Sequence, residues 1–268
     1  LLHHLIGSRS LVWNLAKNDI KKKFAGSYFG VVWAFVQPVI TVLLYWFVFE
    51  KGLNSKATDL RTGIEIPFVL WLTAGLVPWF YFQEALNGGT GVLVEYSYLV
   101  KKVVFQIDML PVVKMISALF THLFFVAFTI VLFICMGYMP DWYALQVIYY
   151  SFCMILFATG LVYATSAVTV FFRDMKEVVG ILLQIGMWVT PIMWNFETMV
   201  QIPGWAIAVL KLNPMYYIVS GYRNALINHI GFWEDMGLTV YFWVVTAVLL
   251  FLGTTVFKRL RPHFADVL

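Results

Sequence analysis

Few residues in this 268-residue chain can do chemistry, and their spacing fits no catalytic site. No glycine is followed by lysine, so the Gly-x-x-x-x-Gly-Lys loop that cradles phosphates is absent. His-Glu-x-x-His, Gly-x-Ser-x-Gly and paired carboxylates at helical spacing within an apolar run are absent too. Of the five histidines only His122 falls mid-run, and beside Thr121 it reads as a helix–helix hydrogen-bond partner. Glu84 and Lys114 stand near the ends of apolar runs, where long side chains reach back to water. Cys135 and Cys153 lie within apolar runs and have neither disulfide nor metal-ligand spacing. The functional groups concentrate in Glu95–Pro111, EYSYLVKKVVFQIDMLP. There Tyr98, Leu99, Lys102 and Phe105 recur at near-helical spacing beside Lys101. A short basic, aromatic helix has two uses: it lies among anionic headgroups, or it docks a soluble partner. The residues of this stretch leave both open.

The elements that must position it are membrane helices. The chain is 62% hydrophobic and 12% charged, against about 25% charged in soluble domains. The expectation is an all-α membrane protein, one permease domain over 1–268, with six transmembrane helices at 29–49, 66–86, 110–136, 143–172, 178–194 and 238–257. The first 28 residues lack the apolar core of a secretory signal peptide. Residues 9–24 predict an amphipathic interface helix, with Leu11, Val12, Leu15, Ala16 and Ile20 on one face and Lys17, Lys21 and Lys22 on the other. Residues 202–228 are apolar but divided by Pro203-Gly204, Asn213-Pro214 and Gly221, which predicts two re-entrant half-helices before the last span. With six spans, 13 of the 18 Lys and Arg fall on one side, so both termini and the Glu95–Pro111 stretch are expected in the cytoplasm. The net charge of +4 is thus a topology signal and not a nucleic-acid footprint.

Four segments in order carry a resemblance: LVKKVVFQIDMLP, FFRDMKEVV, TPIMW and NPMYYIVSGYRNAL. Together they resemble the permease subunits of type-2 ABC exporters, in the polysaccharide and teichoic acid branch, over nearly the whole chain. YFGVVWAFVQPVITVLLYWFVF and the ending HFADVL are most similar to the wall teichoic acid translocation permeases of Gram-positive bacteria. The family has Phe-Pro where this chain has Phe105-Gln106. The resemblance implies a homodimer working with two copies of a separate ATP-binding cassette ATPase. ATP and Mg would bind there, and this chain would bind no cofactor or metal. It implies that Ser97, Tyr98, Leu99, Lys101, Lys102 and Phe105 belong to a coupling helix seated on that ATPase, with Arg173 and Asp174 in a second contact. It makes the half-helices around Lys211, Asn213, Pro214 and Arg223 an outer gate, where Lys211 and Arg223 could meet polymer phosphate.

The function implied is ATP-driven export of a lipid-linked anionic cell-wall polymer, wall teichoic acid, across the bacterial cell membrane. The same machine carrying O-antigen or capsular polysaccharide is the alternative. A membrane transferase would need catalytic acids or a metal-binding carboxylate pair, and an ion-coupled carrier a cluster of midplane charges; neither is present in the sequence. The topology makes one firm demand. A cysteine placed at position 56 should react with an impermeant reagent in intact cells, and labelling only after permeabilisation would overturn the six-span arrangement.

Overall fold

Hydrocarbon offers backbone groups no partner, so long apolar runs close their hydrogen bonds internally and become helices. The computed structural model describes residues 9–23, 25–101, 106–194 and 203–268, and these are mostly helical. In order they form α1 (Arg9–Lys23), α2 (Trp33–Trp46), α3 (Phe68–Thr90), the single turns α4 (Val92–Glu95) and α5 (Ser97–Val100), and α6 (Met109–Cys135). There follow α7 (Gln146–Phe171), α8 (Met175–Val189), α9 (Gly204–Lys211), α10 (Pro214–Arg223), α11 (Met236–Leu260) and α12 (Phe264–Val267). A two-residue hairpin, β1 (Ala57–Thr58) with β2 (Glu65–Ile66), pairs Ala57 with Ile66 and Thr58 with Glu65 in the loop after α2.

Among the described residues, four stretches are long and apolar enough to cross a membrane: Gly30–Gly52, Met109–Cys135, Trp142–Phe171 and Met236–Val267. The other two expected spans differ for identifiable reasons. Helix α3 is long enough at 23 residues, but Thr73, Pro78, Gln83, Glu84 and Asn87 dilute its apolar character. Helix α8 has only 15 residues and ends at Val189, before Pro191. The expected 202–228 segment is divided as its sequence demands. Asn213 caps α10 by accepting from the Met215 amide, and Pro214 occupies the first turn, where its missing N–H costs nothing.

Helix α3 is the axis of the molecule: 18 of its 23 residues are buried, and α2, α6, α7, α8 and α10 all pack on it. Helix α1 lies along α6, with Val12 and Ala16 buried against Met109 and Val113. A second apolar cluster closes one end, joining Val92, Leu93, Tyr96 and Val100 to Tyr163 of α7, Phe257 of α11 and Phe264 of α12.

The α7–α11 contact depends on two glycines. A Cβ on Gly160 would lie 2.7 Å from the Leu249 carbonyl carbon, and one on Gly253 would run into the Gly160 carbonyl. The two backbones therefore touch directly, the close approach that small residues permit between membrane helices. Gly180 of α8 has open space around its Cβ position. Gly160→Leu is expected to lower the thermal midpoint of the purified permease sharply or prevent its accumulation, because backbone cannot give way as a side chain can. Gly180→Leu should leave the midpoint within a few degrees; equal effects in a detergent unfolding assay would contradict the close crossing.

Candidate functional site

Three groups of polar residues stand out, one at each end of the helix bundle and one between. The first group is built around the Ser97–Val100 turn. Tyr98 is 52% exposed and Lys101 is exposed, Ser97 and Leu99 are half-buried, and Val100 is buried. Leu99 packs on the apolar cluster beneath it, so it supports the turn as well as bordering the surface. Lys102 and Phe105 lie outside the described residues. The helix expected here is one turn at Ser97–Val100, almost continuous with α3 through α4.

That turn is fastened from behind by charges. The Lys114 ammonium of α6 lies 2.6 Å from the Asp19 carboxylate of α1 and 2.8 Å from Glu95 of α4. The Tyr96 hydroxyl donates to the same Asp19 oxygen at 2.8 Å. Burial, reinforced by this hydrogen bond to an anion, pushes the Tyr96 hydroxyl far above its ordinary range, so it stays a protonated donor. Lys22 lies over the Tyr96 and Tyr98 rings at 5.1 and 5.8 Å, a cation–π arrangement. Lys23 pairs with Glu84 of α3 at 2.6 Å. Lys114 and Glu84, read from sequence as charges reaching for water, are instead paired within the protein.

The turn between α7 and α8 comes close to this one. Arg173 and Asp174 are exposed between α7 and α8, and the Lys176 side chain lies directly against Gly91 at the α3–α4 junction. The fold thus brings Arg173–Lys176 beside the segment leading into Ser97–Val100.

At the other end, Lys211 is exposed at the end of α9, while the Asn213 amide donates to the Thr190 hydroxyl at 2.7 Å. Arg223 is only 5% exposed. Its guanidinium donates to the carbonyls of Pro191 at 2.6 Å, Ile192 at 2.7 Å and Trp71 at 3.3 Å, and lies 3.3 Å over the Trp71 ring. Gly75 makes room for it, since a Cβ there would lie 2.7 Å from the guanidinium. Arg223, expected from the sequence at the outer gate, is enclosed by these carbonyls and the Trp71 ring. The Thr190–Pro191 break after α8 frees carbonyls, and Arg223 satisfies them. Nearby, burial tends to raise the Asp59 carboxyl, but the Thr62 hydroxyl and the Arg61 and Thr62 amides outweigh it and hold the group below the usual carboxylate range.

Between the ends, His122 Nε2 lies 3.1 Å from the Tyr222 hydroxyl and 3.3 Å from Ser151, and Tyr222 and Ser151 are 2.6 Å apart. This is the helix–helix hydrogen bond expected for His122, with partners on α7 and α10. The sequence reading missed Asp19, Tyr96 and Glu95. One signal for Asp19 was available: it follows Val12 and Ala16 at seven and three residues, on the apolar face of α1.

The described residues thus form an apolar helical bundle with stretches long enough to cross a membrane and paired charges behind an exposed turn. Residues 10–227 match the ABC-2 type transporter family, and the chain belongs to it. It is 25% identical to the O-antigen export system permease protein RfbA of Myxococcus xanthus over 266 residues, 99% of this chain and 98% of that protein. It is 21% identical to the O-antigen export system permease protein RfbA of Klebsiella pneumoniae over 258 residues, 95% and 93% of the two chains.

The inner charge cluster makes a graded expectation. Lys114→Met leaves two carboxylates, one of them buried, without their cation and should cost about 3–5 kcal/mol. Glu84→Gln removes a more exposed pair and should cost no more than about 1 kcal/mol. Unfolding of the purified permease measures both; equal losses would remove the special status of Lys114.

Proposed function

We propose that this chain is the transmembrane subunit of an ATP-driven exporter that moves a lipid-linked polysaccharide from the cytoplasm to the cell exterior. The observation that carries this reading is full-length similarity, within the ABC-2 family, to permeases named for O-antigen export. Those relatives favour an O-antigen-type or related polysaccharide over wall teichoic acid as cargo. On this reading two copies of the chain pair in the cell membrane with two ATP-binding cassette subunits, which hold ATP and Mg. Each copy contributes six spans, counting α3 and α8 with the four long apolar stretches, and both termini are cytoplasmic.

Energy enters through Ser97–Val100. Tyr98 and Lys101 offer an exposed aromatic and a rim charge, the combination that anchors and steers a protein interface. Lys102 and Phe105 follow in sequence, and Arg173 and Asp174 complete the set. Movement of this turn reaches α1 and α6 through Glu95, Tyr96, Lys114 and Asp19. At the far end, α9 and α10 act as the outer gate around Asn213 and Pro214. Lys211 is the exposed cation there, and Arg223 holds the frame.

Depletion of the permease should trap a lipid-linked glycan on the cytoplasmic side, and its sugar composition identifies the cargo; a polyol-phosphate polymer would restore the teichoic acid reading. Tyr98→Asp should abolish co-purification of the ATPase and glycan export while the permease still inserts. Intact ATPase binding and export in that variant would overturn the coupling assignment.

A further inference from the structure

Five residues of α3 are not buried: Phe80, Gln83, Glu84, Asn87 and Gly88. They form one stripe on the helix, and all five line a single cleft of about 820 Å³. Facing them are Gln37 and Thr41, the only polar non-aromatic side chains of α2, and Ser117 and Thr121 of α6. Polar residues that three apolar helices would otherwise have to hide thus converge on one open space. Pro38, which also lines it, has no N–H to give the Ala34 carbonyl, and Ala34 lies on the same wall.

Hydrogen-bonding capacity in this cleft is left over. Gln37, Gln83, Asn87, Ser117 and Thr121 make no side-chain hydrogen bond among the described residues. Amides and hydroxyls both donate and accept, so they match a ligand whose groups do the same, and a sugar hydroxyl is such a group. Charge narrows the choice further. The wall carries Lys22, Lys23 and Lys114 against Asp19, Glu84 and Glu95, with ion pairs joining Lys23 to Glu84 and Lys114 to both Asp19 and Glu95. Three lysines balance three carboxylates, so the wall offers a polyanion no net attraction. A neutral polyhydroxylated chain needs none. A metal ion would need a cluster of ligands that the described residues do not form.

We propose that this cleft is a docking site for a neutral sugar unit of the lipid-linked glycan, built on the Gln83–Asn87 stripe. The assignment rests on the polysaccharide-export reading and deepens it. Because Glu95 and Lys114 belong to both the cleft wall and the charge cluster behind Ser97–Val100, an occupied cleft lies in direct contact with the coupling turn.

The test uses the whole exporter in cells that make their own glycan. A photoreactive benzophenone amino acid placed at position 87 should, on irradiation, yield permease bearing sugar, and none in a strain blocked at the first step of glycan synthesis. An adduct with phospholipid or with a second permease alone, in cells where permease depletion still traps glycan, overturns the cleft assignment and leaves the export reading standing. If depletion traps no glycan, the export reading itself fails, and the cleft assignment with it. A polyol-phosphate adduct overturns the neutral-sugar assignment. In parallel, Gln83→Leu with Asn87→Leu should reduce surface glycan at least tenfold while the ATPase still co-purifies; unchanged surface glycan overturns the proposal.

Discussion

A polar group in hydrocarbon has no solvent to fall back on, and everything distinctive in this permease follows from how that constraint is met. Three solutions occur along the bundle. At the inner end charges neutralise one another around Lys114. In the middle neutral groups share hydrogen bonds around His122. At the outer end a permanent cation, Arg223, is satisfied by carbonyls that a helix break released. Each joins at least two helices that are distant in sequence, so the polar residues specify which helices meet, while the apolar ones supply the contact area.

The inner and outer clusters differ in what they can tolerate. An arginine cannot lose its proton, and its planar fork suits several carbonyls at fixed angles. The Thr190–Pro191 break is thereby held in one shape. The inner cluster is made of long, flexible side chains partly open to a water-accessible cleft, and Lys114 divides itself between two carboxylates on different elements. The charges of this cluster hold one another, and Asp19 is buried enough that losing Lys114 would leave it bare. One end of the bundle is thus tied by fixed carbonyl contacts and the other by ion pairs.

Much of this was legible in the chain. The apolar runs marked the long helices, Asn213-Pro214 marked a helix start, and the order of four segments pointed to the family. The missed features depend on pairs that no local pattern shows. Asp19 sits among lysines in a helix that looks merely basic, and only the docking of α1 on α6 reveals it as the partner of Lys114, 95 residues away. Arg223 looked like a surface cation at a membrane edge, because nothing near it in sequence announces the carbonyls of Pro191 and Ile192. Helix α3 was read as an ordinary span, yet its mixed composition is that of a helix surrounded by protein, which needs no lipid-facing side. Of the stripe at Gln83, Glu84 and Asn87 the sequence reading singled out only Glu84, and its facing partners on α2 and α6 come from the fold alone.

The crossing of Gly160 with Gly253 carries one further consequence. Where two backbones lie in contact with no side chains between them, there is no compliant layer to shear. Sliding either helix along the other would drive the Cβ of a neighbouring residue into a carbonyl. Helices α7 and α11 are therefore welded into one strut, and any change of shape in the transport cycle has to be accommodated by elements that pivot about it. Among the four long apolar stretches, the one containing α2 has the smallest share of its residues buried against the rest of the chain, so the strut lies away from it.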